Sequence, residues 1–555
     1  MKKIKVNSPE DLKDKSTEEL NQIALELREF LIQEVSKTGG HLASNLGIVE
    51  LTMALHINFN SPIDKLIFDV GHQGYVHKII TGRRDEFSSL RQHNGLSGFL
   101  KTKESIHDVW EAGHSSTSIS AATGFAYARD LNQETSHVVA IIGDGSLTNG
   151  MSLEAMNHIA SLNQRVIIIL NDNERSICKN VGFIDDILKN LQYSTEYETT
   201  KIKVKKTLRY IPLGDSLAKV ISKSKAKIKQ RINTSENFFN LMGFKYFGTV
   251  DGHSFEALNK ALIHAKSFDG PTLIHVKTQK GRGYNPAIVG NWHGIAPFDI
   301  KTGDVVNKKP GISYSKVVAN RLSKLMKVNQ DIVVITPAMG AGSELIEIEK
   351  NFPNRYTDVG IAEEHALTFA AALALSGKRP FVSIYSTFLQ RAYDQVFHDL
   401  SRQNANVVIG IDRAGIVGED GETHQGIYDI SFLSHMDNMT IAMGKNDYET
   451  EQLLELAFKT TGVFALRYPR GGDFKNNNTY LESINYGTWE MLKSAPKNYI
   501  ITYGPNVERL IKIFKKDDNI GIINARFIKP LDAKMLLKLK TKNLFIMEEH
   551  IRIGG

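Results

Sequence analysis

The sequence contains a single cysteine, Cys178, among its 555 residues. One cysteine cannot form an internal disulfide or a cysteine-based metal cluster, and it fits a reducing compartment. Long apolar runs are also missing, because runs such as residues 166–170 are far too short to span a bilayer. The N-terminus is basic, but no apolar stretch follows it, so we expect no signal peptide and a cytoplasmic protein.

Neither sign of charge dominates the chain. Lys and Arg number 68 against 61 Asp and Glu, which gives a net charge of +7. Part of the excess lies in the lysine-rich residues 201–229, and such a run can attract nucleic acid. Aromatic residues for base stacking are nearly absent from this stretch, so we favour a solvated surface segment and expect no nucleic-acid partner.

The pattern of apolar residues predicts an α/β fold. Short β-branched runs without alternation are followed by amphipathic helical patterns, which is typical of parallel sheets covered by helices. Ser16 to Glu19 has the spacing of a capping box and predicts a helix that ends near Val35. The length favours about three domains. Polar stretches near 300–315 and 471–485 divide the chain into residues 1–305, 312–475 and 485–555.

An acidic residue between two glycines follows a predicted strand. Asp144 lies between Gly143 and Gly145, and Asn173 comes after the next predicted strand, residues 166–170. The glycines allow the backbone to approach a diphosphate closely, and the following helix contributes N–H groups for the anion. A carboxylate and an amide oxygen are suitable ligands for Mg2+. Asn171 is the competing candidate for the second ligand.

This arrangement resembles the motif by which thiamine diphosphate enzymes bind their cofactor. The resemblance implies that Asp144 and Asn173 hold Mg2+, with a backbone carbonyl near Arg175 completing the set. The family also needs a buried glutamate that shares a proton with the aminopyrimidine ring of the cofactor. Glu363, at the start of a helix rich in small residues, matches that glutamate, and the adjacent Glu364 is a second carboxyl at this position.

Longer motifs are similar to the 1-deoxy-D-xylulose-5-phosphate synthase family. They are residues 41–47, 69–75, 113–118, 385–395, 412–418, 420–426 and 467–471. The resemblance implies a transketolase-like homodimer with two cofactor-binding α/β domains and a third, C-terminal α/β domain. It implies condensation of pyruvate with D-glyceraldehyde 3-phosphate and release of CO2, the first step of non-mevalonate isoprenoid synthesis. Relatives normally continue beyond the position of residue 555, so we expect the third domain to be incomplete.

The same resemblance assigns roles to individual residues. It implies that Glu363, His41, His72 and His424 transfer protons and that Asp420 helps to position His424. The cofactor-binding set is His72, Gly113, His114, Ser115, Asp144, Gly145, Ser146, Asn173, Lys280, Glu363 and Phe388. The substrate-binding set is Arg91, Tyr385, Arg391, Arg413 and Arg470. Within it Arg91 is linked with the carboxylate-bearing intermediate, and Arg413, Arg470 and Tyr385 with the phosphate of the aldehyde, since the guanidinium fork fits phosphate oxygens.

The sequence leaves two alternative functions open. One is a transketolase that moves two-carbon units between sugars, and the other is a catalytically inactive form. Residues 385–395 and 412–426 favour the synthase over the transketolase. The intact set of cofactor ligands argues against an inactive protein.

Overall fold

The computed structural model describes residues 6–173, 238–290, 292–306, 311–418, 421–472 and 483–555. The chain separates into two compact units, Met1–Asn307 and Lys308–Gly555. The predicted roles of Arg175 and Asp420, the single Cys178 and the lysine-rich residues 201–229 lie outside the described residues.

A parallel sheet forms the centre of the first unit. Among the residues that the structure describes in this unit, the sheet has five strands in the order β1-β2-β3-β5-β4, all parallel. The short apolar runs predicted from the sequence form its inner strands, which are buried almost throughout. The strands are β1 (Lys65–Phe68), β2 (Val138–Gly143), β3 (Ile167–Asp172), β4 (Lys245–Asp251) and β5 (Thr272–Lys277).

Helices cover both faces of this sheet, as the absence of alternation predicts. Along β2, Val139 and Ile141 pack into one core, whereas Ala140 and Ile142 pack into another on the opposite face. The helices are α1 (Thr17–Thr38), α2 (Leu42–Gly47), α3 (Val49–Asn58), α4 (Tyr75–Lys78), α5 (Ser118–Leu131), α6 (Asp144–Leu147), α7 (Gly150–Leu162), α8 (Phe255–Lys266) and α9 (Asn285–Val289).

Helix α1 begins at the predicted capping box. The Ser16 hydroxyl accepts the Glu19 N–H at 3.3 Å, and the Glu19 carboxylate accepts the Ser16 N–H at 2.8 Å. The helix continues three residues beyond the predicted end at Val35, and its last turn leads to Gly39 with φ 74°. Gly39 and Gly40 then turn the chain into α2, which carries one of the predicted catalytic motifs.

The second unit contains a larger sheet. In the described part of this unit, seven strands follow the order β15-β10-β11-β9-β8-β6-β7, parallel except for β15. The parallel strands are β6 (Ile332–Thr336), β7 (Tyr356–Asp358), β8 (Arg379–Tyr385), β9 (Val408–Asp412), β10 (Met439–Met443) and β11 (Val463–Arg467). The accompanying helices are α10 (Tyr314–Val328), α11 (Ile346–Asn351), α12 (Glu363–Leu375), α13 (Ser386–Leu389), α14 (Asp429–Ser434) and α15 (Asp447–Lys459).

The C-terminal residues form a four-stranded sheet in the order β12-β14-β13-β16. Its strands are β12 (Glu490–Lys493), β13 (Asn498–Thr502), β14 (Ile520–Asn524) and β16 (Asn543–Met547), with α16 (Asn506–Ile513) and α17 (Ala533–Lys538). The strand β15 (Phe527–Lys529) follows β14 in the chain but lies outside this four-stranded sheet. It pairs antiparallel with β10 of the seven-stranded sheet. The apolar side chains of β16 at the sheet edge are 40–74% exposed. No helix among the described residues is both long enough and apolar enough to cross a bilayer.

Candidate active site

Asp144 occupies the carboxyl end of β2 in the first unit, where parallel sheets bind ligands. It is the first residue of α6, its side chain is buried, and its carboxylate accepts the Gly145 N–H at 3.0 Å. A Cβ added at Gly143 would meet no heavy atom within 4 Å, so there is open space on this side of the acid. A buried carboxylate beside open space at a strand end fits a divalent cation and the diphosphate that it binds.

A second predicted segment, residues 113–118, lies against the first. Asp69 follows β1, and its carboxylate accepts the N–H groups of Ser116 at 2.9 Å and Ser118 at 3.2 Å. Ser116 in turn donates its hydroxyl to the Ser146 carbonyl at 2.9 Å. Burial raises the pKa of Asp69, and these hydrogen bonds oppose that rise. The structure thus brings the segment that contains Gly113, His114 and Ser115 to Ser146 through its residue Ser116.

The two asparagines after Leu170 have different environments. The strand predicted over residues 166–170 extends to Asp172, so Asn171 lies inside β3 opposite Gly143. Its buried amide donates to Gln73 Oε1 at 3.1 Å and accepts from Thr278 Oγ1 at 2.6 Å. Asn173 is partly exposed just beyond the strand end. The arrangement therefore favours Asn173 over Asn171 as the metal ligand.

Three histidine rings meet in the first unit. The centroid of His41 is 5.5 Å from His72 and 5.7 Å from His293, and His72 and His293 are 5.2 Å apart. Phe99 lies 5.4 Å from His41. His293 is not predicted from the sequence, because no strand or family motif marks it. A backbone bridge between Gly40 and Ile295 brings it to the cluster.

Lys280 lies in a turn that contacts the motif of residues 41–47, and Arg91 lies in a second turn of the first unit. The Gly281 N–H donates to the Ala43 carbonyl at 2.8 Å, which holds residues 279–281 beside α2. Arg91 has a left-handed φ of 61°, and a Cβ at Gly98 would come within 3.1 Å of its side chain. The glycine thus leaves room for the arginine stem.

Glu363 is the buried one of the two adjacent carboxyls in the second unit. It is the first residue of α12 and only 3% exposed, whereas Glu364 is partly exposed. Burial raises the pKa of Glu363, and the positive charge of Arg391, whose Nη1 lies 3.3 Å from the carboxylate, opposes the rise. A carboxyl held in this way is suited to share a proton with a nitrogen base.

Aromatic and cationic side chains gather at the ends of β8 and β9. Tyr385 and Phe388 stack with centroids 5.5 Å apart, and the His424 ring meets Phe388 edge-on at 5.6 Å. Arg413 lies over the Tyr385 ring. Arg470 donates to the Val417 carbonyl at 3.2 Å, within the loop that leads from Arg413 to His424. These contacts link four predicted site residues of this unit, Tyr385, Phe388, Arg413 and His424, and place Arg470 against Val417.

Family models match most of the chain. Residues 3–278 match the family model described as 1-deoxy-D-xylulose-5-phosphate synthase, residues 310–472 that of the transketolase pyrimidine binding domain, and residues 487–555 that of the transketolase C-terminal domain. The match over residues 3–278 favours the synthase over a transketolase.

Relatives with the same name align along the whole chain. The 1-deoxy-D-xylulose-5-phosphate synthase of Listeria innocua is 48% identical, with 100% of this chain and 89% of the relative covered. That of Bacillus cereus is 49% identical, with 99% and 89% covered.

Solved transketolases are more distant. The enzyme from Leishmania mexicana gives a TM-score of 0.40 at 17% identity, covering 96% of this chain and 91% of its own. That from Campylobacter jejuni gives 0.39 at 17%, covering 97% and 96%. Both TM-scores are below 0.5, so the assignment depends on the family models and the sequence relatives. The chain belongs to the 1-deoxy-D-xylulose-5-phosphate synthase family, a group of transketolase-class, thiamine diphosphate-dependent transferases.

Proposed function

We propose that this chain condenses pyruvate with D-glyceraldehyde 3-phosphate to give 1-deoxy-D-xylulose 5-phosphate and CO2. The match of residues 3–278 to the synthase family carries the proposal. The buried carboxyl of Glu363 at the start of α12 is the group that thiamine chemistry requires. Thiamine diphosphate, when bound, supplies the electron sink that allows pyruvate to lose CO2 and its remnant to attack an aldehyde. The product enters isoprenoid synthesis.

Mg2+ and the diphosphate are assigned to the first unit. Asp144 and Asn173 would supply one carboxylate and one amide oxygen, and the backbone carbonyl of Arg175 is the third predicted ligand. Such a site leaves further positions for phosphate oxygens and water, as Mg2+ prefers. Gly113, His114, Ser115, Gly145, Ser146 and Lys280 are the remaining residues proposed to contact the cofactor there.

Protons are proposed to move through four side chains. Glu363 would hold a proton for the aminopyrimidine nitrogen of the bound cofactor, because burial favours its protonated form, although the positive charge of Arg391 favours ionisation. His41, His72 and His424 exchange protons with the reacting oxygens near neutral pH. The Thr423 hydroxyl, 2.8 Å from His424 Nδ1, orients that ring, and Asp420 is predicted to assist it.

Substrate binding is assigned to cationic side chains. Arg413 and Arg470, with Tyr385, are proposed to bind the aldehyde phosphate, and Arg91 the carboxylate derived from pyruvate. Phe388 would contact the cofactor ring. A homodimer, a cytoplasmic location and the division into residues 1–305, 312–475 and 485–555 stay predictions.

The choice of two-carbon donor tests the proposal. The purified chain, with thiamine diphosphate and Mg2+, is given glyceraldehyde 3-phosphate and either pyruvate or a ketose phosphate, and the products are identified by mass spectrometry. We expect a five-carbon 1-deoxyketose phosphate from pyruvate and no turnover of the ketose donor. Transfer from the ketose alone would identify a transketolase instead, and binding of thiamine diphosphate without any product would identify an inactive protein.

A further inference from the structure

The phenol of Tyr75 lies against His41 in the interior of the first unit. Tyr75 is fully buried, and its oxygen accepts the backbone N–H of His41 at 3.2 Å. The same oxygen is 3.4 Å from Nδ1 of the His41 ring. One hydroxyl therefore contacts both the backbone and the side chain of a residue to which proton transfer is assigned.

A buried amide fixes the position of both residues. Asn45 donates its two N–H groups to the carbonyls of His41 and His72, each at 2.8 Å. Its oxygen accepts the N–H of Tyr75, also at 2.8 Å. The Asn45 amide therefore uses both donors and its acceptor to link the backbones of His41, His72 and Tyr75. These bonds hold the Tyr75 phenol beside the His41 imidazole.

Gly40 leaves the space that this approach needs. Its φ is 145°, and a Cβ at this position would lie 2.8 Å from the Tyr75 oxygen. Only a residue without a side chain permits the phenol to reach the His41 backbone. The contact thus depends on three elements of the chain: the turn before α2, α2 itself and the start of α4.

The hydrogen-bonding capacity of the phenol determines which nitrogen of His41 carries hydrogen. The Tyr75 oxygen accepts the His41 N–H, so its single proton is available for Nδ1. Burial raises the pKa of this phenol, which keeps it protonated at neutral pH. When Nδ1 accepts a hydrogen bond, the neutral imidazole carries its proton on Nε2.

We propose that Tyr75 is a positioning residue that fixes the ring orientation and the Nε2–H tautomer of His41. The consequence for catalysis rests on the proposed function, in which His41 transfers protons. Tyr75 itself touches neither substrate nor cofactor in this role. It acts by keeping one imidazole nitrogen as the donor toward the reacting groups.

The tautomer is measured directly by 15N NMR of the cofactor-free chain labelled in its histidine rings, with His41→Ala identifying the His41 signals. We expect an unprotonated Nδ1 and a protonated Nε2 in the wild type. In Tyr75→Phe the two nitrogens should move toward a mixture of tautomers. A His41 that carries its hydrogen on Nδ1 in the wild type overturns the proposal, even if Tyr75→Phe does not fold.

Tyr499→Phe is the matched control. The Tyr499 hydroxyl, in the C-terminal sheet, also bonds a single residue twice, accepting the Ala495 N–H at 3.1 Å and donating to its carbonyl at 2.7 Å. The two variants should lose similar thermal stability, but only Tyr75→Phe should change the His41 signals and lower kcat, by about tenfold.

Two outcomes separate this proposal from the proposed function. A tautomer change in Tyr75→Phe with wild-type kcat overturns the positioning role. Full activity of His41→Ala overturns the assignment of proton transfer to His41 and, with it, the catalytic consequence proposed for Tyr75.

Discussion

The guanidinium carbon of Arg413 lies 4.1 Å from the centroid of the Tyr385 ring. The two residues come from neighbouring strands, since Tyr385 pairs with Asp412 at the ends of β8 and β9. Arg413 has a left-handed φ of 56°, which turns its side chain back over the sheet edge. A guanidinium that lies over an aromatic ring can still direct N–H groups outward to phosphate oxygens.

Arg413→Lys tests whether the planar guanidinium of Arg413 is needed to bind the phosphate of the aldehyde. Lysine keeps the charge but loses the planar fork, so we expect the KM for glyceraldehyde 3-phosphate to rise by about tenfold to a hundredfold, the range for losing charge-assisted hydrogen bonds. The KM for pyruvate should not change. Steady-state kinetics with each substrate varied in turn gives both values, and an equal rise in the two would argue against a phosphate-binding role. Tyr385→Phe, which keeps the ring, should have the smaller effect.

Asp412 makes stability depend on pH. Full burial raises its pKa from 3.8 to about 6, although the Arg413 charge and hydrogen bonds from Ser315 and the Arg413 N–H oppose the rise. The folded state therefore binds the proton more tightly than the unfolded state. Protonation of Asp412 therefore stabilises the folded state. Its contribution to the free energy of unfolding, roughly 3 kcal/mol, is complete below pH 3.8 and is lost as the pH rises through about 6.

Asp412→Asn removes this titration. We expect the melting temperature of the variant, relative to wild type, to increase between pH 4 and pH 6 and to stay constant at higher pH. Differential scanning calorimetry across that range measures the difference. A difference that is independent of pH would mean that Asp412 titrates with an ordinary pKa in the folded protein.

Asn171 and Asn173 should respond differently to the same substitution. Asn173→Ala is expected to raise the Mg2+ concentration needed for half-maximal activity by at least about tenfold, because one of few protein ligands is lost. Asn171→Ala should mainly lower the melting temperature, since it leaves Gln73 and Thr278 without their buried partner. Mg2+ titrations and thermal melts of both variants decide the matter. The reverse pattern would make Asn171 the ligand.

Arg391 should influence the alkaline limb of the pH profile. Its positive charge favours the ionised form of Glu363 against burial, so Arg391→Gln should raise the pKa of that carboxyl further. Because Glu363 acts in its protonated form, we expect the alkaline limb of the profile of kcat/KM for pyruvate to move to higher pH. Arg391→Lys, which keeps a positive charge, is the control and should shift it less. A shift to lower pH would contradict the assigned role of Glu363.

Local patterns in the sequence were enough to predict several elements that carry the candidate site residues. The capping box at Ser16, the strand before Asp144 and the helix that begins at Glu363 are short-range features, and the structure has them where they were predicted. Fold class followed from apolar runs that are buried on both faces. The family resemblance, now confirmed, added residues such as Arg413 that no periodicity marks.

Features that depend on distant pairing were not predictable. His293 reaches His41 through a bridge between Gly40 and Ile295, which are far apart in sequence. Strand β15 joins the sheet of β10 although it follows the predicted boundary at residues 471–485, because its apolar residue Phe527 packs into the core of that sheet. No local pattern specifies either partner.

His77 shows how a histidine beside a family motif can be structural. It lies next to the predicted site in sequence, but its ring is fully buried, with Nδ1 3.0 Å from His56 and Nε2 3.1 Å from Asp108. Arg83 binds the same Asp108 through both of its terminal nitrogens. Burial lowers the pKa of His77, which disfavours its charged form. Only the three-dimensional contacts separate this histidine from His41 and His72.

Release of labelled CO2 from [1-14C]pyruvate tests the central claim most directly. The purified 555-residue chain is assayed with thiamine diphosphate and Mg2+, with and without glyceraldehyde 3-phosphate, beside Glu363→Ala. The account predicts release that rises sharply with the aldehyde and disappears in the variant. Absence of release from folded wild-type chain that binds thiamine diphosphate, or undiminished release from Glu363→Ala, would contradict it.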